Sequence, residues 1–233
     1  MQFGIPLWAE LAAAGLGGLQ GALFAAGFRD RRIDVLGVMV IGIGVALGGS
    51  LLRDVLLDEL PVVVGSNWYL PVAAGAALLG MALQPLVRRA GWVVTGLDAV
   101  VIGTFGAIGA SKALSLGVSE VGAVFVGVIA AIGGSIVRDL LLGLPVAFLH
   151  VGSLFAVAAG AGVTGFVVLA ALGTPVPVAG LVCIVLTTVV RVAAVRFGWR
   201  FPEQRALSRP RWRRGATSAS RKNIRTASRR ATG

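Results

Sequence analysis

Residues 42–57 read GIGVALGGSLLRDVLL, and residues 127–142 read GVIAAIGGSIVRDLLL. The two stretches align without a gap, and the pattern Gly-Gly-Ser-x-x-Arg-Asp is identical in both. A leucine–proline pair follows each stretch, at 60–61 and at 144–145. Because chance is a poor explanation for so many matches at one offset, we infer that the chain contains a duplicated unit.

Both copies lie in a strongly apolar chain. Hydrophobic residues make up 57% of the 233 residues, charged residues make up 13%, and the mean hydropathy is +0.90. Soluble domains carry about twice this charged fraction. Uncharged runs such as Val35 to Leu52 and Leu60 to Val87 match the roughly 20 apolar residues that a helix needs to cross a bilayer. The sequence therefore predicts an all-α membrane protein.

Turn residues divide this apolar chain into seven predicted transmembrane helices. The predicted spans are 7–28, 34–57, 68–88, 92–112, 119–142, 148–171 and 176–197. They group into a three-helix repeat at 5–90, a second repeat at 91–172, a seventh helix at 173–198 and a basic disordered tail at 199–233. Since each repeat has an odd number of spans, the second copy enters the membrane upside down, giving two inverted three-helix repeats.

Basic residues predict the orientation, because cytoplasmic segments carry an excess of Lys and Arg. The tail from Arg200 onward holds eleven Lys or Arg and one acid, Glu203. Two further basic groups fall on the same side as the tail: Arg29, Arg31 and Arg32, then Arg88 and Arg89. We therefore expect an extracytoplasmic N-terminus and a cytoplasmic C-terminus.

The basic tail has two interpretations that its composition does not separate. It can hold anionic lipid head groups, at about 1 kcal/mol per basic residue near the surface, or it can serve only as a topology determinant. We expect no nucleic-acid partner, because no nucleic-acid-binding motif accompanies the charge.

Paired glycines occupy the predicted middle of spans two and five, at Gly48-Gly49 and Gly133-Gly134. Glycine inside a helix is unfavourable by roughly 1 kcal/mol relative to alanine, so a pair needs a reason. It permits a kink or the close approach of a neighbouring helix. Either arrangement can free backbone carbonyls, which a cation pathway could use.

Each glycine pair precedes an arginine and an aspartate, Arg53-Asp54 and Arg138-Asp139. A charge at mid-bilayer costs ~2.5–3.5 kcal/mol on insertion scales and normally faces the bundle interior or a water-filled cavity. Neighbouring residues point roughly 100° apart on a helix, so each charge should have a partner beyond its sequence neighbour. Two interpretations stay open, a buried clamp and a pore lining. The better pore-lining candidates are the glycine backbone, Ser50 and Ser135.

Three further ionisable residues are candidates for the pore mouths. Glu10 and its counterpart Asp98 can attract cations or cap helix N-termini, and Lys112 can be a snorkelling anchor or a positive gate. The lone His150 and lone Cys183 lack metal-ligand spacing, and we find no nucleophile–base constellation and no phosphate-binding loop. The sequence therefore predicts neither an enzyme nor a cofactor or metal site.

Over about residues 5–197, the chain resembles the prokaryotic trimeric intracellular cation (TRIC) channel family. The twin segments GGSLLRDVLL and GGSIVRDLLL carry the resemblance, together with LDAVVIGTFGAIGASKAL at 97–114. The resemblance implies a homotrimer with one pore per subunit, lined mainly by spans one, two, four and five. It also implies glycine kinks in spans two and five, and potassium as the main permeant ion, with sodium as a second.

Two alternatives to a channel are kept. The first is a secondary transporter of a small amino acid such as glycine, because the same domain is sometimes labelled in that way and inverted repeats suit transporters equally well. The second is a membrane scaffold that acts through its basic tail.

Overall fold

The computed structural model describes residues 5–28, 33–87, 91–147 and 154–199, and it contains only helices and connecting turns in these ranges. The helices are α1 (Leu7–Gly27), α2 (Val35–Leu56), α3 (Val62–Gly65), α4 (Tyr69–Val87), α5 (Gly91–Ser115), α6 (Glu120–Leu142), α7 (Phe155–Ala171) and α8 (Val176–Arg196). Within the described ranges, six of them are long and apolar enough to cross a membrane: α1, α2, α4, α5, α6 and α8. The apolar helix α7 is shorter, with 17 residues. The predicted all-α membrane fold is confirmed.

The structure adds one element to the seven predicted spans and leaves some predictions outside its reach. The four-residue helix α3 was not predicted; it follows Pro61, whose backbone carbonyl accepts the N–H of Val64 at 2.8 Å. Outside the described residues lie the start of predicted span six, the lone histidine, the tail and the basic groups at 29–32 and 88–89.

Equivalent residues cap the N-terminal ends of the two motif helices. Asp34 accepts the N–H of Gly37 at 2.7 Å before α2, and Ser119 accepts the N–H of Gly122 at 3.3 Å before α6. Both acceptors satisfy an amide that the first helical turn leaves unpaired. The two caps are separated by the same offset as the motifs themselves, so the duplication includes the helix starts.

The helices of each repeat approach one another through glycine. A Cβ added at Gly21 of α1 would lie 3.2 Å from the Cα of Gly42 in α2. A Cβ added at Gly109 of α5 would lie 3.1 Å from the Cα of Gly127 in α6. Small residues are the usual means of close helix packing in a membrane, where no hydrophobic difference between lipid and protein drives association.

The two motif helices, α2 and α6, also cross at their paired glycines. A Cβ added at Gly49 would collide with the carbonyl oxygen of Ala130, and one added at Gly134 would lie 2.5 Å from the carbonyl oxygen of Val45. Gly49 and Gly134 are equivalent positions of the two copies, and so are Val45 and Ala130, the residues that they meet. The contacts are therefore reciprocal. Close approach is therefore one consequence of the paired glycines that the structure displays.

Both motif helices are continuous through their glycine pairs. Just beyond the pairs, Ser50 Oγ donates a hydrogen bond to the Leu47 carbonyl at 2.9 Å, and Ser135 Oγ donates to the Ile132 carbonyl at 2.7 Å. Serine hydroxyls that bond back to their own helix often bend it. The predicted kinks stay a prediction, with this pair of hydrogen bonds in their favour.

Candidate functional site

Five side chains from four helices form what we call the first cluster: Glu10, Arg53, Asp54, Tyr69 and Lys112. Arg53 Nε and Lys112 Nζ each lie 2.8 Å from Asp54 Oδ1. Arg53 Nη1 lies 3.7 Å from Glu10 Oε1, and the Tyr69 hydroxyl donates to Glu10 Oε2. Arg53 and Asp54 are 1% and 0% exposed, so their charges are balanced by protein groups. A buried charge needs such partners.

The second oxygen of Asp54 fixes the turn that follows α2. Asp54 Oδ2 accepts the backbone N–H of Val62, the first residue of α3, at 2.9 Å. The carboxylate therefore joins the end of α2 to the beginning of α3. Asp54 therefore braces this turn, and the cluster to which it belongs also borders a small crevice, which is described below.

The second cluster consists of Gln20, Asp98, Arg138, Asp139 and Arg191. Arg138 binds Asp139 Oδ1 through Nε at 2.9 Å and Nη2 at 2.8 Å. Its Nη1 lies 3.8 Å from Asp98 Oδ1, which also accepts a hydrogen bond from Gln20 Nε2 at 2.9 Å. Arg191 Nη2, from α8, lies 3.7 Å from Asp98 Oδ2. Helices α1, α5, α6 and α8 thus meet at one carboxylate.

The second cluster repeats the bracing contact and adds two aromatic rings. Asp139 Oδ2 accepts the N–H of Ala147 at 2.8 Å, in the turn after α6, as Asp54 does for Val62 after α2. The Arg138 guanidinium lies 4.1 Å from the ring centre of Phe24, and that of Arg191 lies 4.7 Å from the ring centre of Phe155. Cation–π contacts of this kind stabilise guanidinium groups that have little water around them.

The two clusters lie at opposite ends of the bundle. Asp98 and Lys112 belong to the same helix, α5, one to each cluster. At a rise of 1.5 Å per residue, their positions in the helix place them about 21 Å apart along its axis. That distance is about two-thirds of the hydrocarbon thickness of a bilayer, which is roughly 30 Å.

The space beside each cluster differs. The first cluster borders a crevice of about 10 Å³, lined also by Ser50 and Phe105, which is room for about one water molecule. The second cluster borders a cavity of about 360 Å³, lined by Asp98, Arg138 and Arg191 among others. The cavity beside the second cluster has room for a small ligand or several waters, whereas the crevice beside the first cluster has room for about one water.

The contacts decide between several sequence-based interpretations. The prediction that each motif arginine has a partner beyond its neighbour holds, although neighbouring Arg and Asp also bond directly. Glu10 does not cap a helix, because α1 begins after Pro6 without a side-chain cap and the Glu10 carboxylate faces Arg53 and Tyr69. Lys112 does not reach outward as an anchor, because its ammonium group bonds Asp54.

Several members of the clusters were not predicted from the sequence. Gln20 and Tyr69 are isolated polar residues in apolar helices, and neither belongs to the repeated motif. Arg191 had a usable signal, because one arginine inside an apolar span is a candidate functional residue by default. Val62 and Ala147 contribute only backbone amides, which no residue pattern reveals.

Comparison with known proteins gives a consistent family and fold. The family model described as "Glycine transporter" matches residues 7–85 and 95–171, one segment over each three-helix set. The UPF0126 inner membrane protein YadS of Escherichia coli (strain K12) is 31% identical over 201 residues, which cover 84% of this chain and 94% of that protein.

Two solved structures share the fold over nearly their whole length. The TRIC trimeric intracellular cation channel orthologue from Rhodobacter sphaeroides is 27% identical, with a TM-score of 0.75, over 83% of this chain and 98% of that chain. A structure that addresses conductance through TRIC cation channels is 28% identical, with a TM-score of 0.71, over 84% of this chain and 96% of that chain.

Proposed function

We propose a function from this premise: the chain belongs to the family described as "Glycine transporter", and its fold is that of the TRIC cation channels. The chain conducts monovalent cations, mainly potassium and to a lesser degree sodium, through one pore in each subunit. The observation that carries the proposal is the pair of buried charge clusters that contain Asp98 and Lys112 of α5, about 21 Å apart along its axis.

The clusters support a pathway because intramembrane charges are costly and normally face a cavity or a water-filled route. Carboxylates at both ends, Glu10 and Asp54 in the first cluster and Asp98 and Asp139 in the second, can attract cations. The arginine and lysine partners of these acids keep the net charge of each cluster low.

Between the clusters, the proposed pore follows the four helices that supply most of their charges, α1, α2, α5 and α6. Its middle is the crossing of α2 and α6 at Gly48-Gly49 and Gly133-Gly134. Glycine backbone at this crossing, together with Ser50 and Ser135, gives oxygen ligands of the kind that replace the water around a hard cation. Movement of one motif helix relative to the other would open the crossing.

The remaining parts of the proposal follow from the duplication, from the charges and, for the trimer, from the likeness to the trimeric TRIC channel structure. Repeats at 5–90 and 91–172 are inverted relative to each other, the segment 173–198 is the added seventh span, and the chain assembles as a homotrimer. It lies in the inner membrane with its N-terminus outside. The basic tail, 199–233, contacts anionic lipids on the cytoplasmic side and binds no nucleic acid.

A second candidate function is secondary transport of a small amino acid such as glycine. Two observations favour it: the description of the family, and a cavity of about 360 Å³ that presents both signs of charge. Arg191 and Asp98 could hold the carboxylate and the ammonium group of a zwitterion. A transporter also alternates between states that are accessible from one end only, and the two cavities here are likewise unequal in size.

The two candidates are separated by recording from purified protein in planar bilayers and by measuring uptake into proteoliposomes. We expect discrete unitary currents that reverse near the potassium equilibrium potential in a KCl gradient. Replacing Asp98 by Asn should lower the unitary conductance, whereas Gly75→Ala, a matched control in α4, should leave it unchanged. Saturable glycine uptake without unitary currents would reject the channel in favour of the transporter.

A further inference from the structure

We propose that Arg191 of α8 controls cation entry at the second cluster, as the counterpart of Lys112 at the first cluster. This inference rests on the proposed cation pathway and adds a specificity-determining residue to it. It also gives α8, which has no equivalent in the duplicated units, a part in the pathway.

The duplication by itself does not provide the second cluster with such a cation. Glu10 in α1 corresponds to Asp98 in α5, and the spacing between these two acids places Phe24 opposite Lys112. The Phe24 ring lies beneath the Arg138 guanidinium, 4.1 Å from it, so this position carries an aromatic contact and no charge. In the first cluster the second oxygen of Glu10 accepts a hydrogen bond from the Tyr69 hydroxyl, whereas the second oxygen of Asp98 is approached by a cation from outside the repeats.

Arg191 occupies that place. Its Nη2 lies 3.7 Å from Asp98 Oδ2, while Gln20 and Arg138 approach the other oxygen, Oδ1. Its guanidinium rests on the ring of Phe155, and the side chain lines the cavity of about 360 Å³ together with Asp98. A cation that enters this cavity meets the Asp98 carboxylate and the Arg191 charge together.

The contact is looser than its counterpart. Lys112 Nζ is 2.8 Å from Asp54, within hydrogen-bond range, whereas the 3.7 Å between Arg191 and Asp98 exceeds the usual 2.7–3.2 Å. Arg191 Nε is buried and has no hydrogen-bond partner. The guanidinium is therefore positioned by Phe155 and by charge, and it can shift within the cavity as a permeating cation passes.

The balance of charges predicts the effect of removing it. Asp98, Asp139, Arg138 and Arg191 together have no net charge, and removal of Arg191 leaves an excess of one negative charge in the cavity. Cavities lined by one sign of charge concentrate counter-ions. More potassium should then enter from the second end, while entry from the first end stays as it was.

The test is the current–voltage relation of single channels in symmetric KCl. Relative to wild type, Arg191→Gln should change the ratio of currents at opposite voltages by roughly tenfold, the lower end of the range of such field effects. Lys112→Gln should change the ratio in the opposite sense, so the double variant K112Q/R191Q should return close to the wild-type ratio. This cancellation does not depend on how the channel inserts into the bilayer.

Two variants keep the charge balance and serve as controls. Arg191→Lys retains the cation and should keep the wild-type ratio. Asp98→Asn should reduce entry from the second end, and D98N/R191Q, with its charges again balanced, should restore it. This last pair carries the test if R191Q alone does not fold.

Four outcomes would overturn the inference. If the wild type conducts but R191Q leaves the current ratio unchanged, or if D98N/R191Q does not restore entry from the second end, Arg191 has no such role and the channel proposal still holds. A K112Q/R191Q ratio further from wild type than either single variant would place both residues at one end. No wild-type potassium current would overturn the channel and this inference together.

Discussion

In the first cluster, Lys112 bonds Asp54 at 2.8 Å beside a crevice with room for about one water, whereas in the second cluster Arg191 stands 3.7 Å from Asp98 beside a cavity of about 360 Å³. The contacts of the motif arginine are nearly the same in the two clusters. In both, an arginine binds the following aspartate at 2.8 Å and lies 3.7–3.8 Å from an acid of the first helix of a repeat.

The difference shows which parts of the site the duplication preserved. The groups contributed by α2 and α6 occur twice, and so do the backbone amides of Val62 and Ala147, which follow these helices and donate to Asp54 and Asp139. The groups that complete each cluster come from elsewhere, Lys112 from the opposite repeat and Arg191 from α8. The added cation of the first cluster is therefore held by a hydrogen bond, and that of the second cluster is held more loosely beside the larger cavity.

The largest expected effect concerns the crossing of α2 and α6, to which the two halves of the chain contribute equivalent glycines. Gly49→Ala and Gly134→Ala should each lower the free energy of unfolding by about 3 kcal/mol, because the added methyl group meets a backbone carbonyl of the other motif helix. Thermal unfolding midpoints of the purified protein in mild detergent would measure this loss. Similar losses for the two variants would confirm that the crossing is symmetric.

Matched controls come from the same repeat offset. Gly75 in α4 and Gly160 in α7 are equivalent positions by that offset, and an added Cβ at either would have no atom within 4 Å. Alanine at these positions should cause no loss of stability. If G49A proved as harmless as G75A, the close crossing of α2 and α6 would not be needed for folding.

A smaller effect should distinguish the clusters. Asp54→Asn leaves both Arg53 and Lys112 without their shared carboxylate, whereas Asp139→Asn leaves only Arg138. Because an uncompensated buried charge is destabilising, we expect D54N to be less stable than D139N by about 1–3 kcal/mol. The same unfolding assay tests this order.

The contribution of Lys112 can be isolated in that comparison. Adding Lys112→Met to D54N removes the unpaired ammonium group and should recover part of the lost stability, as in a double-mutant cycle. Equal midpoints for D54N and D139N would indicate that Lys112 contributes nothing to the difference between the clusters.

The smallest expected effect lies at the ends of the motif helices. Asp58 follows α2 with φ 54°, and its equivalent after α6 is Gly143 with φ 62°. Left-handed backbone is unfavourable for residues other than glycine by roughly 1–2 kcal/mol, less for aspartate. Asp58→Gly should therefore raise the free energy of unfolding by about 0.5–1 kcal/mol, and Gly143→Ala should lower it.

The unfolding midpoint of D58G tests this prediction directly. A thermal midpoint of D58G at or below that of the wild type would mean that the Asp58 side chain stabilises its turn by more than the backbone strain costs.

Much of the fold could be predicted from the sequence because its two strongest signals are local. Apolar run length determines which segments can cross a bilayer, and the repeated motif identifies α2 and α6 as equivalent. The motif also identified Arg53, Asp54, Arg138 and Asp139 as charges inside the bundle, and the structure buries all four. It could not show that neighbouring arginine and aspartate would bond directly, since flexible side chains overcome the angle between adjacent positions.

The sequence by itself determined the helical membrane class, the duplication and the charged motif residues of each copy. Only the tertiary structure decided that Lys112 completes the first cluster, that Gln20 and Arg191 join Asp98, and that the larger of the two cavities lies beside the second cluster. The reason is physical. Hydropathy and repetition act along the chain, whereas the partner of a buried charge depends on which helices lie within a few ångströms, and that depends on packing between distant segments.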